Sequence, residues 1–105
     1  MYNLFLYYIT KLPDRLNNIT GTLNISHTDI TELPKNFTVD GCLILGNTNI
    51  TKLPDNLRVN GVLDICNTII SELPEDLSVS NFILLNNDKI KIPEECKTRN
   101  EFVFL

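Results

Sequence analysis

A repeat of about twenty residues is the feature that most restricts how this chain can fold. The dipeptide Leu-Pro occurs at positions 12–13, 33–34, 53–54 and 73–74, and Ile-Pro follows at 92–93. Successive copies are therefore offset by 21, 20, 20 and 19 residues. Tandem units of this size are typical of solenoids, because each unit buries its apolar side only by stacking on its neighbours. The sequence predicts a single, mainly β solenoid domain over residues 1–105, with about five repeats.

Alternation of side-chain character within each repeat predicts a short β-strand. In the segment 62–66 (VLDIC), a period of two places Leu63 and Ile65 on one face of the strand and Asp64 on the other. The equivalent inward pairs in the other copies are Leu23/Ile25, Leu43/Leu45, Ile83/Leu85 and Phe102/Phe104. These inward side chains are uniformly large and apolar, whereas the outward positions vary. We expect packing to fix one face of the sheet and leave the other free for function.

Each strand is followed by a turn and an outer leg. Because proline fixes φ and lacks a backbone donor, each Leu-Pro corner resists helix and strand alike. Only a few residues separate Pro54 from Gly61, so irregular, 3₁₀ or polyproline-like structure is expected on the outer leg. Residues expected to supply a tight turn or a positive φ are Gly21, Gly41 and Gly61. A ladder of turn hydrogen bonds between stacked copies is expected at Thr28, Thr48, Thr68 and Asp88.

The repeat frame L-x-L/I-x-x-N/T-x-I-x-x-L-P-x-x-L-x-V-x-G resembles leucine-rich repeats. The resemblance is to the short type of about twenty residues, found in bacterial, phage and viral proteins, and it covers nearly the whole chain. It departs from the family at the turn, where the usual Asn is Thr28, Thr48 or Thr68. The resemblance implies an arc with a parallel β-sheet on its concave face and a role in binding proteins.

Both ends of the chain are predicted to be strands that close the stack. Residues 1–9 fit the repeat as an N-terminal strand or cap, and residues 93–105 fit it as a C-terminal strand or cap. Cys96 replaces the core leucines Leu57 and Leu77 of earlier copies, so it is expected to be buried. Because apolar edge strands invite pairing, the terminal strands could instead join copies of the chain. That alternative makes the protein a structural or self-assembling module, a homo-oligomer through its terminal strands.

Charge and cysteine content limit the compartments and partners. The net charge is −4 and the basic residues do not cluster, so nucleic-acid binding is not expected. No apolar run approaches the roughly 18 residues that a membrane span needs, so no membrane partner is expected. Three cysteines with no metal-type spacing favour free thiols in a reducing, cytoplasmic compartment. The Asn- and Ile-rich composition suits an AT-rich genome, and a viral protein would then act in the host cytoplasm.

No residue pattern points to catalysis, and the chain is expected not to be an enzyme. His27 is the single histidine, and it takes the turn position that Asn47 and Asn67 hold in later copies. A general base needs a poised partner and a pocket, and no spacing supplies either to His27. The glycines are spread along the repeats instead of forming a phosphate-binding loop. We therefore expect no catalytic residue, cofactor or metal ion.

The outward positions of the predicted sheet carry the candidate binding site. Large apolar side chains occupy several of them, although nothing in a solenoid requires this. Contiguous exposed apolar area on a protein surface usually marks an interface, and an aromatic such as Phe82 is a plausible anchor. The residues predicted to bind a protein partner are Ile44, Val62, Asp64, Phe82, Leu84 and Val103. The predicted function is a non-catalytic protein-interaction scaffold that binds through its concave face.

Overall fold

The computed structural model describes residues 10–105, which form a β-solenoid of parallel strands with almost no helix. In chain order the elements are β1 (Asn18–Ile19), β2 (Leu23–Asn24), β3 (Thr38–Val39), β4 (Leu43–Ile44), β5 (Arg58–Val59), β6 (Leu63–Asp64), β7 (Ser78–Val79), β8 (Ile83–Leu85), α1 (Glu94–Arg99) and β9 (Phe102–Phe104). The strands form two sheets. The long sheet has the order β2-β4-β6-β8-β9, and the short sheet has the order β1-β3-β5-β7. The solenoid predicted from the repeat is therefore confirmed.

The long sheet is the sheet that the alternation predicted. Each strand pairs with its neighbour one repeat away, so Leu23 lies beside Leu43 and Leu43 beside Leu63. The inward side chains of β2, β4, β6 and β8 are buried, as expected for one face fixed by packing. The exception is β9, where Phe102 is only partly buried and Phe104 is 51% exposed. These two were predicted to be inward core residues, but among the described residues β9 pairs with β8 alone, so its far side is not covered.

The short sheet was not anticipated, because the outer leg was expected to be irregular. Its strands are only two residues long, and each buries one β-branched residue, such as Val39 or Val59. Consecutive coils are hydrogen-bonded here as on the other side. The Arg58 N–H donates to the Phe37 carbonyl at 3.0 Å, and the Asn60 N–H to the Val39 carbonyl at 2.9 Å. Stacking thus pairs backbone groups that would otherwise be buried without partners.

Gly41 and Gly61 are needed for close stacking and not for a positive φ. A Cβ on Gly41 would stand 2.6 Å from the Gly21 carbonyl carbon, and one on Gly61 2.9 Å from the Gly41 carbonyl carbon. Of these glycines only Gly21 has a positive φ, of 92°. The left-handed positions belong to polar turn residues instead, namely His27, Asn36, Asn47, Asn56 and Asn67. Asparagine adopts this conformation more readily than most residues, which explains its recurrence.

The predicted ladder between turn residues is not formed. Each threonine hydroxyl instead donates within its own coil, to the carbonyl three residues earlier. The distances are 2.6 Å from Thr28 to Ile25, 2.7 Å from Thr48 to Leu45 and 2.9 Å from Thr68 to Ile65. Asp88 is exposed and makes no such bond within the described part of the chain. The threonines therefore fix the shape of each turn and do not link one repeat to the next.

The C-terminal segment contains a helix that the repeat did not predict. Pro93 precedes α1, whose first turn carries Glu94 and Glu95 and whose last turn carries Lys97 and Arg99, a charge order that suits the helix dipole. Cys96 is fully buried, as predicted. No helix within residues 10–105 has the length and apolar character to cross a membrane. The predicted N-terminal strand or cap at residues 1–9 lies outside the described residues.

Candidate functional site

The structure places four of the six predicted binding residues in one row across the long sheet. Ile44 is the register partner of Asp64, Asp64 of Leu84, and Leu84 of Val103. Neighbouring strands of a sheet lie about 4.8 Å apart, so these side chains are adjacent on the outer face. We call the set Asn24, Ile44, Asp64, Leu84 and Val103 the outer row of the long sheet.

The remaining two predicted residues, Val62 and Phe82, flank this row. Each lies one residue before its strand, and each is half-buried, as are Ile44, Asp64 and Leu84. Val103 is the most accessible member, with 39% of its surface exposed. An open depression of about 470 Å³ lies beside Phe82, lined by Ser80, Asn81, Phe82, Glu101 and Val103. The C-terminal half of the face is therefore apolar with polar groups at its margin.

Asp64 is held in position by its own turn. Its Oδ1 accepts a hydrogen bond from the Cys66 N–H at 2.9 Å. In the first repeat, the Asn24 Oδ1 likewise accepts a hydrogen bond from the Ser26 N–H at 3.0 Å. At the intervening repeat, Gly46 has no side chain. A Cβ there would lie 3.1 Å from the Cys66 carbonyl oxygen and 3.7 Å from the Asp64 carboxylate. Gly46 thus allows the Cys66 backbone of the next coil to approach closely beside the fixed carboxylate.

Two of the cysteines, Cys66 and Cys96, do not have the chemistry of reactive thiols. Burial, together with the hydrogen bond and the charge of the neighbouring Asp64 carboxylate, raises the pKa of Cys66 to about 11. Burial also raises the pKa of Cys96, against smaller opposing effects of Asn100 and Arg99. All three cysteines are free thiols. Because the thiolate is the nucleophile, raised pKa values make Cys66 and Cys96 poor nucleophiles at neutral pH.

Asn100 is a structurally important residue that the sequence reasoning missed. Its side-chain Oδ1 accepts a hydrogen bond from the Val79 N–H at 2.8 Å, and its Nδ2 donates to the Leu77 carbonyl at 2.9 Å. In the preceding coil the equivalent Leu57 carbonyl accepts from the Ser78 N–H at 3.1 Å. The amide of Asn100 therefore replaces the peptide group of a further coil and closes the edge of the short sheet.

Within residues 10–105, no group of three or more His, Cys, Asp or Glu side chains could hold a metal ion. His27 is exposed and lies in the left-handed region with φ 60°. Two open grooves of about 520 and 560 Å³ follow the Leu-Pro corners, and both include Lys52 and Asp55 in their lining. Among the residues that the structure describes, neither groove is lined by a serine, threonine, cysteine or histidine.

The outer row of the short sheet provides an internal comparison with the long sheet. Its outward residues are all polar: Asn18, Thr38, Arg58 and Ser78. The same coils therefore present a polar row on one sheet and a largely apolar row on the other. Comparison of the whole chain with protein-family models, curated proteins and solved structures found no match.

Proposed function

We propose that this protein is a non-catalytic interaction module that binds a protein partner through the outer face of its long sheet. The proposal rests on one observation, the difference between the two outer rows. Outward positions of the short sheet carry only polar residues, whereas Ile44, Leu84 and Val103 occupy the same kind of position in the long sheet. Since solvent-facing strand positions do not require apolar side chains, their concentration on one sheet favours an interface there.

The proposed binding mechanism is burial of the apolar row around one carboxylate. Removing apolar surface from water contributes roughly 25 cal/mol per Å², so Phe82, Leu84 and Ile44 would supply most of the affinity. Asp64 would fix the position of the partner, because its carboxylate is already oriented by the Cys66 N–H. An unpaired carboxylate is costly to bury, so a partner with a donor opposite Asp64 is favoured over one without.

We also propose that the solenoid is of the short leucine-rich repeat type seen in bacterial, phage and viral proteins. The support is the repeat frame together with parallel strands that stack at intervals of about twenty residues. In that type the long sheet is the concave face. The free thiols of Cys42, Cys66 and Cys96 agree with a reducing compartment such as the cytoplasm.

A capture experiment with matched variants on the two sheets tests the proposed function. Ile44→Asp and Phe82→Asp introduce charge on the long sheet, and Thr38→Asp and Ser78→Asp do so on the short sheet. All four positions are half-buried, so each pair should perturb folding to a similar extent. We expect the long-sheet variants to lose the captured partner and the short-sheet variants to retain it, with circular dichroism confirming folding. Equal recovery by all four folded variants would reject the proposal.

A further inference from the structure

Within residues 10–105, the last strand of the long sheet leaves part of its backbone without a partner. Among the described residues β9 pairs with β8 alone. On that side the Glu101 carbonyl accepts from the Ile83 N–H at 2.9 Å, and the Leu105 N–H donates to the Leu85 carbonyl at 2.8 Å. Backbone groups of a strand alternate in direction, so the N–H and C=O groups of Phe102 and Phe104 point away from β8. These four groups form an open edge.

The side chains at this edge are also incompletely covered. Phe104 is 51% exposed and Leu105 75% exposed, and the Phe102 and Phe104 rings stack with their centroids 6.5 Å apart. An apolar strand with unpaired backbone groups is a template for pairing with another strand. The neighbouring edge of the short sheet differs, because Asn100 already satisfies β7 there. At the C-terminal end of the solenoid, the open backbone edge is therefore that of the long sheet.

We propose that two copies of this chain associate through β9, in an antiparallel pair related by a two-fold axis at Val103. The outward groups belong to residues 102 and 104, which are spaced evenly about Val103. A second, reversed copy of the same strand therefore places Phe104 opposite Phe102. Each outward N–H then donates to an outward C=O of the other copy. The pairing of Phe102 with Phe104 of the second copy therefore satisfies all four outward groups of each strand.

The side chains suit this symmetric register. Phe102 and Phe104 lie on the inward face, so the pair brings four aromatic rings together over the uncovered end of the core. Glu101 faces Leu105 of the second copy, which keeps the two Glu101 carboxylates apart. The two outer rows also become continuous through Val103, so the dimer doubles the length of the proposed binding face. This inference does not depend on that proposed function, since the pairing uses the backbone of β9.

Cysteine cross-linking tests the register of the pair. The symmetric arrangement places Val103 directly opposite itself at a separation that a disulfide can span. We expect V103C to form a covalent dimer in oxidised glutathione, whereas L105C, which faces Glu101, should not. The wild-type chain, with its own Cys42, Cys66 and Cys96, measures cross-linking through the native thiols. Equal yields from V103C, L105C and wild type would overturn the proposal.

Proline substitution tests the backbone pairing without relying on a disulfide. Phe104→Pro removes an outward N–H and leaves the hydrogen bonds to β8 in place, whereas Phe104→Ala removes the ring but keeps the N–H. In sedimentation from micromolar to millimolar protein, we expect wild type to approach the mass of a dimer. Phe104→Ala should dimerise more weakly, and Phe104→Pro should stay monomeric at every concentration with an unchanged far-ultraviolet spectrum. A strictly monomeric wild type, growth beyond a dimer, or a Phe104→Pro variant that dimerises as Phe104→Ala does would each contradict the pairing.

Discussion

The two sheets of this solenoid are built from the same coils but present different surfaces. Their inward residues are alike, since β5 buries Val59 and β6 buries Leu63. Their outward residues differ, with Arg58 on β5 and a row on the long sheet that is largely apolar. Their last strands differ as well, because Asn100 closes β7 and β9 remains open. The difference shows that stacking determines the identity of the inward residues of both sheets and leaves the outward residues free to differ.

The largest expected effect is a loss of folding stability when an inward residue of the long sheet is truncated. Leu63→Ala removes a fully buried side chain, so the free energy of unfolding should fall by about 2–5 kcal/mol. Val62→Ala and Asp64→Ala, at the half-buried flanking positions, should have much smaller effects. Denaturant unfolding monitored by circular dichroism measures the three changes. Equal destabilisation by Leu63→Ala and Val62→Ala would contradict the assignment of opposite faces.

A slightly smaller effect is expected at the closed edge of the short sheet. Asn100→Ala leaves the Val79 N–H and the Leu77 carbonyl without partners, which should destabilise the fold by about 2–4 kcal/mol. Asn86→Ala is the matched control, because that amide is exposed and bonds only to Asn67 and its backbone. Hydrogen exchange should show faster loss of protection at the Val79 amide in Asn100→Ala. If both alanine variants unfold at the same denaturant concentration, Asn100 does not close the edge.

The smallest expected effect concerns thiol reactivity on the outer face of the long sheet. The pKa of Cys66 is raised to about 11 by burial and also by the Asp64 carboxylate. Asp64→Asn removes the negative charge, so the pKa of Cys66 should fall and its thiolate fraction at pH 8 should rise. Iodoacetamide should then alkylate Cys66 faster, as followed by mass spectrometry of peptides. Cys42, whose sulfur accepts the Val62 N–H, is the internal reference and should keep its rate.

The inner rows could be predicted from the sequence because a strand alternates its side chains with a period of two. That rule alone identified Leu63 and Ile65 as core residues. It failed at Phe104, which has the right alternation but lies on a strand that no described coil covers on its far side. The rule that assigns a face does not state whether a neighbour covers that face.

The candidate site was predicted only in part, because some of its features depend on how neighbouring coils are placed. The outward positions of Asp64 and Leu84 followed from alternation, and their adjacency followed from the repeat. The close approach of consecutive coils at Gly46, beside the carboxylate, depends on how the coils are placed, and no local pattern indicates it. The role of Asn100 could not be predicted from the sequence either, because it depends on α1 placing this residue beside the edge of β7.

The sequence by itself determined the repeat length, the parallel stacking and which side chains face inward, because each of these follows from local periodicity. The tertiary structure decided the rest. Strands of the short sheet form only because stacked coils approach closely enough for their backbones to pair. The same approach excludes a side chain at Gly41. Hydrogen bonds between coils join residues about twenty positions apart, so their presence at one edge and absence at another depends on three-dimensional neighbours.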